Sequence, residues 1–97
     1  MEQTIYFSEF KRTLFAGTSH SNQVRDKYNL SPQVTKCTLV LEDGMLVTSS
    51  YFFKLCYWLF ESSCDIVIVN GCRVTMDEFH RAKKRYENEV LTKRGNK

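Results

Sequence analysis

The sequence predicts an α/β domain, and three stretches carry that expectation. CTLVL (residues 37–41) and DIVIV (65–69) are aliphatic, β-branched runs of strand length, each closed by turn residues. Between them lies YFFKLCYWLFE, which is twice the length of a typical strand and holds no turn residue, so it reads as a helix. Two strands flanking one helix at crossover distance form a βαβ unit, with parallel strands joined right-handedly.

The other elements follow in chain order. TIYFSEFKRTLF (4–15) mixes β-branched, aromatic and polar residues and is expected as one strand or a hairpin. AGTSHSN (16–22) is a turn from which Ser19 or Ser21 caps a short helix to about Asn29, with Val24 and Tyr28 on one face. Pro32 interrupts the chain before the strand Cys37–Leu41. Glu42, Asp43 and Gly44 then turn it, and Met45–Val47 brings it back to apolar ground. The central helix is expected from Ser50 to about Glu61, with Phe52, Leu55, Cys56, Leu59 and Phe60 on its wide inner face. Phe53, Tyr57 and Trp58 fall outside that face. After the strand Asp65–Val69, Thr75 and Glu78 have the spacing of a capping box, and Phe79, Ala82, Tyr86 and Val90 recur on one side of a final helix. The chain from about residue 92 is expected to be a disordered basic tail.

Bulk properties narrow the function classes. Ninety-seven residues, 42% hydrophobic and 13% aromatic, suit one domain with one core. No apolar run approaches the roughly 20 residues of a membrane span, and the first residues lack the order of a secretory signal, so a cytoplasmic location is expected. Four cysteines, Cys37, Cys56, Cys64 and Cys72, are too widely spaced for a CxxC pair and read as free thiols used as small hydrophobes. Neither His20 nor His80 has a cysteine at ligand spacing, so no metal and no cofactor is expected. No nucleophile and base stand at a recognisable spacing and no glycine-rich phosphate loop occurs; the expectation is a protein that is not an enzyme.

The remaining signal is LEDGMLVTSSY (41–51), in which Thr48, Ser49 and Ser50 precede the apolar helix. Their plain role is capping, which is worth roughly 1 kcal/mol. LVLEDGMLVTSSYFFKLCYWLF followed by DIVIVNG also resembles the STAS fold of anti-sigma factor antagonists and anion-transporter domains, and more closely its prokaryotic STAS-like subgroup. The resemblance covers about two thirds of the chain. It implies a STAS-like α/β fold, a central mixed β-sheet with a βαβ unit and helices packed on it. It also implies that Ser49 occupies the phosphoacceptor position of the regulatory members, with Ser50 after it. Thr48 stands where the regulators carry aspartate and Tyr51 where glycine commonly follows, whereas a serine pair followed by an aromatic suits the STAS-like subgroup.

The resulting expectation is a partner-switching module that docks a protein through the Thr48–Ser50 turn and the aromatic helix, with Tyr51, Phe53, Tyr57 and Trp58 as a partner or dimer surface. The resemblance implies a histidine-kinase-like ATPase or an anti-sigma factor as partner. Phosphate on Ser49 would add charge to a loop already holding Glu42 and Asp43 and so disrupt docking. Two alternatives stand beside it. One is a nucleic-acid-associated protein using Arg81, Lys83, Lys84 and Arg85, a stripe interrupted by Asp77, Glu78, Glu87 and Glu89. The other is a phage or mobile-element inhibitor of a host protein.

Overall fold

A computed structural model describes residues 1–91. Strand β3 (Lys36–Val40) lies at the centre of an α/β fold, and its alternation explains why. Cys37 and Leu39 are fully buried on one face, while Lys36 is exposed and Thr38 and Val40 are half-buried on the other. β1 (Glu2–Tyr6) lies on one side of it and β5 (Asp65–Val69) on the other, so that Thr4, Thr38 and Val67 form one cross-strand row. The sheet order is β1-β3-β5. Two short strands, β2 (Leu14–Phe15) and β4 (Leu46–Val47), form a separate pair.

Every one of these pairings is parallel. The βαβ unit expected from CTLVL and DIVIV is present, whereas the strand pairings among the described residues are all parallel, because each strand returns to its neighbour through a crossover. The stretch 4–15 leaves β1 into a 3-10 turn, Phe7–Phe10, and Lys11 ends that turn in the left-handed region at φ 53. The turn brings Phe7 and Phe10 together at 5.8 Å and packs both rings against Phe15. Burial of three aromatic rings outweighs the extended pattern that the sequence suggests.

Four helices complete the fold: α1 (Ser19–Lys27), α2 (Ser49–Leu55), α3 (Tyr57–Glu61) and α4 (Arg73–Tyr86), the last continued by a π-helical turn to Leu91. The expected single helix from Ser50 to Glu61 is thus two, divided at Cys56. Cys56 N–H still donates to Phe52 and Phe60 N–H to Cys56, so helical hydrogen bonding spans the break. α1 is capped by neither Ser19 nor Ser21; it begins after Thr18, whose side chain makes no cap bond, and Ser21 Oγ instead donates back to the Thr18 carbonyl.

The core lies on one face of the sheet. Ile5, Cys37 and Leu39 meet Phe52, Leu55, Cys56 and Leu59 from α2 and α3, and α4 closes over α2 with Phe79, Ala82 and Tyr86. Phe52 and Phe79 meet edge to face at 5.3 Å. The opposite face, comprising Glu2, Thr4, Tyr6, Lys36, Thr38, Val40, Asp65, Val67 and Val69, is exposed or half-buried throughout. That is unusual for parallel strands, which are ordinarily covered on both sides. No helix among the described residues is long and apolar enough to cross a membrane. The basic tail expected from residue 92 lies outside the described residues.

A hydroxyl turn braced by the last helix

β3 ends at Leu41, and Glu42–Gly44 forms an exposed turn in which Gly44 takes φ 86, a conformation that favours glycine. The chain then passes through β4 to Thr48, whose extended backbone (φ −82, ψ 160) places Oγ1 to accept the Tyr51 N–H at 3.4 Å. Thr48 is therefore the N-cap of α2. Its own N–H donates to Phe15, which ties the turn to β2.

The sequence reads Thr75 and Glu78 as a local capping box, and the structure corrects this. α4 begins two residues earlier, at Arg73, so Thr75 lies inside the helix. Thr75 is fully buried; its hydroxyl accepts the Val47 N–H at 3.3 Å and lies 3.4 Å from the Met45 carbonyl, to which it donates. Glu78, one turn on, accepts the Ser49 N–H at 3.0 Å. The same pair braces β4 and the hydroxyl turn: Thr75 satisfies the Val47 N–H of β4 and Glu78 the Ser49 N–H at the start of α2.

Thr48 caps and Glu78 takes the Ser49 N–H, which leaves the two serine hydroxyls. Ser49 is half-buried and Ser50 exposed, and neither Oγ bonds a described residue. Leu14 and Leu46, neighbours across the β2–β4 pair, are 57% and 41% exposed, and Val74, in the first turn of α4, is 59% exposed. These three apolar side chains belong to the elements that hold the turn. Sequence reading missed them, because two-residue strands are too short to display the alternation with buried Phe15 and Val47.

The expected aromatic surface does not form as a unit. Tyr51 is fully buried among Phe7 and Phe15, and its hydroxyl lies 2.7 Å from His20 Nδ1. Burial raises the Tyr51 phenol above its ordinary range, although Arg12 opposes the shift; burial and Arg12 both lower His20. Phe53 is also buried, with the Arg85 guanidinium 4.1 Å from its ring centre. Tyr57 is half-buried against Tyr86. Only Trp58 is exposed, at 41%, and it lines an open groove with Met1, Arg25 and Pro32. A crossover helix runs back from the carboxyl end of its strand to the amino end, so Ser49 and Trp58 lie at opposite ends of the βαβ unit.

The two arginines of the basic stripe are answered by acids one turn away. Arg81, Lys83, Lys84 and Arg85 are all exposed, but Arg81 pairs with Glu78 and Arg85 with Glu89. All four cysteines are free; Cys37 and Cys56 are buried, Cys64 is half-buried and Cys72 is exposed beside Thr75. Among the described residues no three His, Cys, Asp or Glu side chains converge as a metal site. No family model matches the chain, and no curated protein or solved structure matches it either.

Proposed function

We propose that this protein is a non-enzymatic, STAS-like interaction module that docks a protein partner through the Thr48–Ser50 turn, and that phosphorylation of Ser49 switches the docking off. One observation carries the reading: Thr48 performs the cap, so the hydroxyls of Ser49 and Ser50, the first two residues of α2, are spare and open to modification. Exposed Leu14, Leu46 and Val74 supply the apolar contact that a docking surface needs, in place of the aromatic helix. Phosphate on Ser49 would arrive next to the Glu78 carboxylate, and it would repel and desolvate together. The resemblance to STAS regulators supports a histidine-kinase-like ATPase or an anti-sigma factor as the partner class.

The test is affinity capture from the source cell with wild type, Ser49→Ala, Ser49→Asp and Leu46→Glu, combined with mass spectrometry of the peptide carrying Ser49. The reading expects one partner held by wild type and Ser49→Ala, its loss from Ser49→Asp and Leu46→Glu, and phosphate on Ser49. Equal retention by all four variants would remove the turn from the interface.

A further inference from the structure

We propose that two copies of this chain pair through strand β5, edge to edge and antiparallel, to form one continuous six-stranded sheet. β5 lies at the border of the three-stranded sheet. Asp65 N–H donates to Thr35, and Leu41 N–H donates to Val69, so the odd-numbered residues of β5 face β3. The N–H and C=O groups of Ile66 and Ile68 consequently face outward, and they bond no described residue. Natural edges are ordinarily protected by lysine, proline or a bulge. β5, with the sequence DIVIV, has none of these.

The occupant is a second copy because the edge is self-complementary. A two-fold axis at Val67 sets Ile66 opposite Ile68 of the other copy and Ile68 opposite its Ile66. Those two pairs use all four outward groups of each strand and make four hydrogen bonds, with the two Val67 residues facing each other as a non-hydrogen-bonded pair. Val67 and Val69 are each 37% exposed on the bare sheet face, so the seam places apolar against apolar at its centre. On the helical face, half-buried Ile66 and Ile68 gain the same cover beside the groove lined by Phe60, Phe79 and Lys83. The acidic residue does not oppose itself: Asp65 falls opposite Val69 of the other copy, and the two Asp65 carboxylates stand about 14 Å apart, beyond the screening length. A five-residue edge is smaller than the roughly 800 Å² per partner of a tight complex, so the association is reversible and concentration-dependent. The inference rests on neither Ser49 nor its partner and leaves the hydroxyl turn free.

Sedimentation velocity from about 10 µM to 1 mM on wild type and Val67→Lys tests the pairing. Val67→Lys alters an exposed side chain, and circular dichroism checks that it folds. The expected result is a wild type that dimerises with rising concentration and a variant that remains monomeric. The geometry is tested in a Cys64→Ser, Cys72→Ser background by adding Val67→Cys or Val69→Cys. The facing pair at position 67 should oxidise to a covalent dimer, because non-hydrogen-bonded antiparallel partners lie within disulfide reach, whereas position 69 should not. A wild type that stays monomeric to the top concentration, or equal cross-linking at 67 and 69, overturns the proposal and leaves the edge to an extended segment of another protein. A dimer dissolved by Trp58→Ala but not by Val67→Lys overturns it equally.

Discussion

Glu78 on the last helix accepts the backbone N–H of Ser49 at 3.0 Å, which links the start of α2 to α4 through a single carboxylate. The contact makes the energetics of position 49 depend on position 78. Ser49→Asp should destabilise the fold by about 1 kcal/mol, since it sets two carboxylates side by side. Glu78→Gln keeps an acceptor for the Ser49 N–H and removes the repulsion, so the double variant should recover most of that loss. Urea unfolding of the four proteins in the cycle measures the coupling. Independent, additive costs would separate the two residues.

The cap makes a sharper distinction among the hydroxyls. Thr48→Ala should cost about 1 kcal/mol, because the Tyr51 N–H then lacks its acceptor. Ser50→Ala should change stability by less than about 0.5 kcal/mol, since its Oγ is exposed and unbonded. Thermal or urea midpoints decide between this assignment and one in which a serine is the cap.

Thiol reactivity should divide the four cysteines. Cys72 is exposed, and its hydrogen bond with Thr75 holds its pKa below the ordinary thiol value. Burial, reinforced by Cys64, pushes Cys37 up to about 12, and burial raises Cys56 well above the usual range. Cys64 is raised by its partial burial and by Asp65. Iodoacetamide near pH 8 should therefore label Cys72 first, Cys64 more slowly, and Cys37 and Cys56 only after denaturation. Peptide mapping over time reads the order directly.

His20 should give the stability a pH dependence. Burial and the charge of Arg12 hold its folded pKa below 6.5, so the unfolded chain binds more protons between those two values. The stability associated with His20 is complete above pH 6.5 and is lost as the pH falls toward the folded pKa. His20→Gln should flatten that part of the profile between about pH 7.5 and 5, as read by urea midpoints. An unchanged slope would show that the Tyr51–His20 pair does not titrate with folding.

Much of the fold was legible because it depends on local pattern. CTLVL and DIVIV appear as β3 and β5 to within one residue, and Phe79, Ala82 and Tyr86 face the core as their spacing requires. The structure around the candidate site was legible only in part. Thr75 and Glu78 lie one helical turn apart on one face, a spacing that serves a local cap and a tertiary brace equally well; only the position of β4 decides between them. Tyr51 and Phe53 fall outside the one inner face that helical spacing assigns to α2, which is why the sequence leaves them free. The sheet takes one side of α2, and α1 and α4 contact it too, so both rings are core. Parallel β1 was illegible for a related reason: its partner is set by Thr4 meeting Thr38, a pairing that no short window of sequence contains.

The lack of any hairpin among the described residues also sets the kinetics of folding. Thr35 bonds back to Met1 across 34 positions, and Asn70 reaches Leu41 across 29. Each strand must wait for a complete crossover before its ladder returns any enthalpy, so the loop-closure entropy falls almost wholly before the transition state. For its size the chain should be a slow folder, in milliseconds or longer rather than microseconds. During synthesis, β1 and β3 can meet while DIVIV is still emerging, and the last strand to join is the one whose outer edge pairs with no described strand.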